Sequence, residues 1–464
     1  MSSTYKKDVD MRKEQINFLI TNFKRLLRRG ATRQLTNIIK KTHMADLAVV
    51  FQELSADNQD NLFKLIDNPE QRGELFSRLK EKVFLEFVQT VELDQLVRIF
   101  DNMPSDDAAE LLNLLEEDFS DKILAQMKKE GSYNVEKVMS YGDDTAGSIM
   151  ATDFIALKED IKAAQVIEAL QNKYLDVEMP FYIYVVDEYG YLVGVSSLRQ
   201  LVVVHPEKPL KEFMARDIVS VKTYTDREEV ARLVSRYDYL AVPVVNDDNK
   251  IVGIVTVDDV IDVLHEAATE DMLKMAGVGE EYIETQTILK GARIRLPWLF
   301  ASFLGGVAAF FIIGSFEDNI AKMASLAAFI PVIMGMGGNI GTQSSTIVVR
   351  GIATGRIHVG DFYKIVLKEL VVGFLLGVFY GLFIGAVAKI SFMSEPFSFL
   401  LAISVGLAVL SSMAVAAFVG SFIPLVFEKL NIDPAIATGP FVTTSIDIVS
   451  VFFYFLIADM LISF

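Results

Sequence analysis

A single acidic residue, Asp447, lies in the middle of a long apolar segment of this sequence. Residues 434–458 contain no other charged side chain. An ionised carboxylate near the centre of a bilayer costs about 2.5 kcal/mol or more, and such residues mostly face a water-filled cavity or an ion path. The alternative is a carboxyl that is protonated or paired within a helix bundle. Because the apolar segments contain no Lys, Arg or His to pair with it, Asp447 is predicted to be functional.

Oxygen-bearing groups precede Asp447 in the sequence. Thr443 and Thr444 come four and three residues earlier, which places them on the same face of a helix. Gly439 and Pro440 loosen the start of that helix, so that backbone carbonyls there can face a lumen. The segment therefore combines carboxylate, hydroxyl and carbonyl oxygens.

A second apolar segment, residues 323–349, has a similar character. Pro331 and several glycines interrupt it, and Asn339 and Gln343 add amide oxygens. Oxygen ligands suit a hard divalent cation, and Mg²⁺ in particular keeps its waters and touches one or two carboxylates. One Asp is a weak site for a dication, whereas two copies about a two-fold axis would match its charge.

Five apolar segments are long enough to position these residues, since each reaches the roughly 20 residues that a membrane span requires. They are residues 296–316, 323–349, 370–388, 396–427 and 434–458. Lys and Arg flank them mainly on one side, where we find Lys290, Arg293, Arg295, Arg350, Arg356, Lys364, Lys368 and Lys429, against Lys322 and Lys389 on the other. The positive-inside rule predicts a cytosolic N-terminal half and a C-terminus outside. Glycines at 373, 377, 381 and 385 are predicted to form a packing face.

The composition excludes several chemistries. The chain has no cysteine, which rules out disulfides and thiolate sites, and its four histidines are scattered, so a catalytic zinc centre is not expected. Its first residues resemble no secretory signal. The net charge of −17 is uneven, because residues 1–44 form a basic arm. Such an arm could touch anionic lipid or nucleic acid, but a solvated helix face or a strap on the acidic body is the simpler interpretation.

The charge-rich half contains two internal repeats. Residues 45–135 repeat a helix–turn–helix pattern with a spacing of 49 residues. Residues 181–202 match residues 239–261 as strand, turn, strand and helix. This second repeat resembles a tandem CBS pair, over about 136–209 and 210–271. The resemblance implies a regulatory module that often binds adenine nucleotides, and Thr256 with Asp259 match the hydroxyl and acid used toward a ribose.

The order of these parts resembles the MgtE family of magnesium channels and transporters, as do the motifs at 331–351 and 433–455. The resemblance implies a multi-domain membrane protein with an all-α helical superhelix, an α/β CBS pair, a connecting helix over 262–292 that plugs the pore, and a five-helix transmembrane bundle over 293–464. It implies a homodimer in a bacterial inner membrane, with lipid and without nucleic acid as partners. Its pore would bind hydrated Mg²⁺ through Asp447, Gly439, Thr443 and Asn339.

Cytosolic Mg²⁺ sensing is a further implication of the resemblance, and ATP is a possible second ligand of the CBS pair. The matching sensor positions are Asp106, Glu110, Asp226, Glu228, Asp238, Asp259, Asp262 and Glu270. Gln200 and Ala267 depart from the acids expected there. Facing carboxylates repel unless divalent cations lie between them, so low Mg²⁺ would separate the domains.

Three other functions remain open from the sequence. A proton-coupled divalent-cation transporter would use Asp447 as a proton carrier. A CBS-containing membrane receptor would have no conducting pore. A membrane enzyme would need a catalytic pair, for which only Glu369 and Asp447 are candidates, and we do not expect one.

Overall fold

The structure is a computed structural model that describes residues 2–172, 180–278, 287–357, 359–395, 397–437 and 439–462. It divides into two compact units, Met1–Val263 and Leu264–Phe464. The division falls within one helix.

The first unit begins with a helical domain. Its helices are α1 Ser2–Arg28, α2 Thr32–Ile39, α3 Met44–Gln52, α4 Ala56–Phe63, α5 Pro69–Ser77, α6 Glu81–Val88, α7 Leu93–Phe100, α8 Ser105–Asn113, α9 Glu117–Leu124 and α10 Lys129–Met139. The pair α3–α4 recurs as α7–α8 at the spacing expected from the sequence. Aromatic rings fill its core, where Phe63 stacks on Phe76 at 5.3 Å between centroids. Short helices with their apolar faces turned to this core explain the repeat pattern.

The rest of the first unit holds two sheets of the same topology. One contains β1 Ala156–Lys158, β2 Tyr182–Val186 and β3 Leu192–Ser197, with helices α11 Ala163–Asn172 and α12 Leu198–Val203. The other contains β4 Val221–Lys222, β5 Ala241–Val245 and β6 Ile251–Thr256, with α13 Arg227–Tyr237 and α14 Val257–Met275, and a 3₁₀ turn lies at Leu210–Glu212. In each sheet the first two strands are parallel and the last two antiparallel.

Two glycines explain how the CBS repeats interlock. Gly194 on β3 packs against Met214, and Gly253 on β6 packs against Met150, so closely that a Cβ at either position would collide with the thioether side chain. Each repeat therefore receives its methionine from the segment that precedes the other sheet. The tandem CBS fold that the sequence predicts is confirmed.

Among the described residues of the second unit, five helices are long and apolar enough to cross a membrane. They are α15 Ile288–Ser315, α17 Ile330–Ala353, α18 Phe362–Ser391, α19 Ser398–Lys429 and α20 Pro440–Ile462, with the short α16 Glu317–Lys322 after the first. Short 3₁₀ turns lie at Ala324–Phe329, Val359–Asp361 and Pro434–Ala437. The five-helix membrane region that the sequence predicts is confirmed.

Two spans begin later than the hydropathy pattern alone suggests. The second enters through the 3₁₀ turn Ala324–Phe329, and the fifth begins only at Pro440. Proline is favoured in the first turn of a helix because its missing N–H would have no partner there. Apolar composition extends through the turns, but the regular helix starts beside the proline.

The predicted connecting helix over 262–292 is not one continuous helix. Helix α14 starts at Val257 and ends at Met275. Gly277 has a φ of +71°, in the left-handed region that commonly ends a helix. Residues 279–286 lie outside the described ranges, and α15 begins at Ile288.

The glycine run on α18 forms a packing face, as the spacing predicts. Gly377, Gly381 and Gly385 lie so close to α19 that a Cβ would come within 2.9 Å of its backbone. All three are buried. Small residues permit this close approach of two membrane helices. The contact fixes the position of α18 against α19.

Candidate ion pathway and regulatory acids

Asp447 lies on α20 beside the backbone of α17. Its Oδ1 is 3.8 Å from the position that a Cβ on Gly338 would take. The side chain is partly exposed, and among the described residues no hydrogen bond or ion pair engages its carboxylate. The carboxylate can therefore accept hydrogen bonds from the water shell of a cation.

Helix α17 presents a polar face that protein does not cover. Asn339, Thr342, Gln343 and Thr346 are exposed and recur at helical spacing. The opposite face, including Gly337 and Gly341, is buried. Polar side chains in a membrane helix mostly face a bundle interior or a water-filled cavity rather than lipid. The sequence singled out Asn339 and Gln343 but missed the two threonines, which the same helical period could have found.

Close packing sets the positions of α17, α19 and α20 around Asp447. A Cβ on Gly341 would collide with Ile446, the residue before Asp447. Ser412 on α19 and Ser450 on α20 share a hydrogen bond of 2.7 Å. These contacts fix the depth of the Asp447 carboxylate along α17.

Gly439 and Thr443 have local partners at the start of α20. The Thr443 hydroxyl donates to the carbonyl of Pro440 at 3.2 Å, and its N–H donates to the carbonyl of Gly439 at 3.4 Å. Gly439 also packs against the end of α14, since a Cβ there would lie 3.2 Å from the carbonyl oxygen of Met275. The end of α14 therefore lies against the first residues of the helix that carries Asp447.

A group of acids lies where α8 approaches the start of α14 within the first unit. Burial raises the pKa of Asp107 to about 6, helped by the charges of Glu110, Asp258 and Asp262 and opposed by Arg78. Of the predicted sensor residues, Asp106 is buried on α8, whereas Glu110 and Asp262 are exposed. Asp107 belongs to this group but was not among the matched sensor positions. The sequence signal that could have identified Asp107 is its position next to Asp106 in the acidic first turn of a helix.

Three other predicted sensor residues have local structural roles. Asp226 caps α13 by accepting from the N–H groups of Glu228 and Glu229 at 2.8 and 3.2 Å. Asp238 ends the same helix in the left-handed conformation, with φ of 54°. Glu228 lies in its first turn. Within the described ranges, no three His, Cys, Asp or Glu side chains are arranged to hold a metal ion.

The predicted nucleotide pair also has a local role. The Thr256 hydroxyl lies 2.6 Å from Asp259 Oδ2, and the Thr256 N–H donates to the same oxygen at 3.3 Å. At the matching position of the first repeat, Ser197 and Gln200 form a reciprocal cap on α12. Helix capping accounts for both pairs, and it explains why Gln200 can replace an acid at this position.

The raised pKa values predict a pH dependence of stability in Mg²⁺-free buffer. Burial, with Asp258 and Asp107 nearby, raises the pKa of Asp259 to about 7, although hydrogen bonds from Thr256 oppose the shift. Both this carboxyl and Asp107 take up protons on folding between about pH 4 and 7, so the free energy of unfolding falls as pH rises through that window. We expect the melting temperature of the full chain to be higher at pH 5.5 than at pH 8. Scanning fluorimetry would measure it.

Asp107→Asn provides the matched control for this pH dependence. The variant should raise the melting temperature at pH 8 by about 2–4 °C and have less effect at pH 5.5. Equal effects at both pH values would contradict the assignment of the raised pKa to Asp107.

The polar helix face and the free carboxylate, set among five apolar helices and joined to a CBS pair, are the features of a membrane transport protein. Family models match four stretches of the chain. The divalent cation transporter MgtE matches residues 330–457, the MgtE intracellular N domain matches 42–144, and the CBS domain matches 146–207 and 210–266.

Known proteins resemble the chain along its length. The magnesium transporter MgtE of Thermus thermophilus is 33% identical over 96% of this chain and 98% of its own length. The magnesium transporter MgtE of Enterococcus faecalis is 37% identical over 70% of this chain and 71% of its own. The chain belongs to the MgtE family.

Two solved structures resemble the cytosolic part. The soluble part of a magnesium transporter has a TM-score of 0.52 and 27% identity, covering 55% of this chain and 99% of that one. The cytosolic domain of the Mg²⁺ channel MgtE in complex with ATP has a TM-score of 0.51 and 33% identity, covering 53% and 99%. They support the helical domain and CBS pair described above.

Proposed function

We propose that this protein conducts Mg²⁺ into the cell down its electrochemical gradient and closes when cytosolic Mg²⁺ is high. The observation that carries the proposal is the unpartnered Asp447 carboxylate beside the polar face of α17, within the part of the chain that the structure describes. The near-complete match to magnesium transporters supports Mg²⁺ as the ion. A membrane potential, negative inside, drives a dication inward by about 4.6 kcal/mol per 100 mV, so no chemical energy source is needed.

The pore forms between two copies of the chain in this proposal. The polar face of α17 is exposed in one copy, and a second copy would enclose it away from lipid. Two Asp447 carboxylates would then balance the charge of one Mg²⁺. The protein would lie in the bacterial plasma membrane with its C-terminus outside.

The acids of α8 and α14 support the gating part of the proposal. The charges of Glu110, Asp258 and Asp262 all disfavour the ionised form of Asp107. Mg²⁺ bound among them would relieve that repulsion and hold the closed state. ATP at the CBS pair is a second ligand of this proposal, supported by the ATP complex of a similar cytosolic domain.

Uptake into proteoliposomes tests the function directly. The full-length protein would be reconstituted with a Mg²⁺ indicator inside, and uptake would be recorded under an imposed potential. We expect uptake that follows the potential and is unaffected by a pH gradient. Uptake driven by the pH gradient would favour the proton-coupled transporter, and no uptake by folded protein would favour the receptor.

A further inference from the structure

An ammonium group bridges two carboxylates at the end of α14. Lys274 Nζ lies 2.5 Å from Glu270 Oε1 and 2.5 Å from Asp433 Oδ2. All three side chains are only partly exposed, at 28%, 35% and 32%. Glu270 was expected to be a ligand of regulatory Mg²⁺, but its carboxylate is engaged by Lys274.

The bridge joins α14 to the entrance of α20. Asp433 precedes the turn Pro434–Ala437, and its Oδ1 accepts the N–H of Ala435 at 2.8 Å. Shortly after this turn, at Gly439, the chain packs against the carbonyl of Met275. Lys274 therefore holds the end of α14 beside the helix that carries Asp447.

A second ion pair links the same end of α14 to the other polar helix. Arg350, near the end of α17, lies 4.0 Å from Asp271. The end of α14 thus contacts both helices that carry the candidate pathway residues. A movement of α14 would therefore displace the start of α20 and the end of α17 together.

The contact around Lys274 contains its own positive charge, unlike the group of acids on α8 and the start of α14. Burial lowers the pKa of Lys274, but hydrogen bonds to Asp433 and Glu270 outweigh it and raise the pKa overall, so the ammonium stays charged. An attached ammonium remains in place at any Mg²⁺ concentration. A bound ion leaves when its concentration falls.

We propose that Lys274 is a tethered cation that takes the place of a divalent ion between Glu270 and Asp433. It is a positioning residue that holds α14 on the entrance of α20 whether or not Mg²⁺ is present. The inference rests on the proposed function and refines its regulation, because it assigns the Mg²⁺ response to the acids near Asp107 rather than to Glu270. Lys274 supplies a constant bias toward the closed state.

Lys274→Gln tests the bridge in the full-length protein in proteoliposomes, with uptake measured against the Mg²⁺ concentration on the cytosolic side. Removing the ammonium leaves Glu270 facing Asp433, and their repulsion favours release of α14. We expect the half-closing Mg²⁺ concentration to rise by about fivefold or more. Lys274→Arg keeps the charge and should stay within about twofold of the parent. Lys364→Gln removes a lysine elsewhere on the predicted cytosolic side as a control for net charge.

Hydrogen exchange of residues 264–278 provides a readout that does not depend on conduction. In Mg²⁺-free buffer, Lys274→Gln should exchange about fivefold faster than the parent, and added Mg²⁺ should restore protection. An unchanged half-closing concentration, or exchange as slow as in the parent, would overturn the proposal. If the parent itself does not conduct, the proposed function fails, and hydrogen exchange still decides the role of Lys274.

Discussion

Replacing Asp447 by alanine is expected to abolish Mg²⁺ uptake while leaving the protein folded and its assembly unchanged. The carboxylate is the charged group nearest the backbone of α17 at Gly338, and it has no partner within the described residues. At an effective dielectric of about 20, losing its attraction for a dication removes more than about 2.7 kcal/mol, which corresponds to at least about a hundredfold fall in rate. Initial uptake rates in proteoliposomes would measure the loss.

Two further variants separate charge from packing in this experiment. Asp447→Asn keeps the size of the side chain and should be as inactive as the alanine variant. Asp459→Asn neutralises another acid of α20, near the end of the helix, and should retain uptake. Normal uptake by both Asp447 variants would contradict the assignment of Asp447 to the ion pathway.

Neutralising the acids near Asp107 is expected to remove the response to cytosolic Mg²⁺. The combined variant Asp107→Asn, Asp258→Asn and Asp262→Asn takes away both the repulsion and the oxygen charges that would bind the ion. The ratio of uptake at low and high internal Mg²⁺ should fall from at least about tenfold to about one, because typical coupling between sites is 5–150-fold. Flux against internal Mg²⁺ would measure it.

A matched set of acids serves as the control for net charge. Glu188→Gln, Asp247→Asn and Asp248→Asn remove three carboxylates from the turns between the sheet strands, and none of these is among the charges that shift the pKa of Asp107. This variant should keep the Mg²⁺ response. A retained response in the Asp107 set, or a loss in both sets, would argue against regulation at these acids.

Several features of the fold follow from local patterns in the sequence. Length and hydropathy predicted the five spans, because a membrane helix must be apolar over its whole length. The repeat of glycine and methionine positions predicted two equal sheets, and the residue types of Asn339 and Gln343 marked them as candidate oxygen ligands in the second span. The resemblance carried by the two membrane motifs predicted the family.

The roles of several predicted sensor acids were harder to predict. Asp226 and Asp259 match the family positions, yet both carboxylates also accept backbone N–H groups at the ends of helices. An acid near the start of a helix can cap the helix or bind an ion, and the two roles give the same sequence pattern. The sequence cannot separate these roles because both need the same oxygen at the same spacing.

The sequence alone determined that Asp447 is an isolated charge in an apolar span, since both charge and hydropathy are local properties. Only the tertiary structure decided that Lys274 reaches Asp433, 159 residues away, and that Asp107 lies near the acids of α14. Such pairs depend on how helices pack, and packing is set by many weak contacts between distant parts of the chain. The fixed cation at Lys274 and the group of acids near Asp107 become distinguishable only once those contacts place the charges in space.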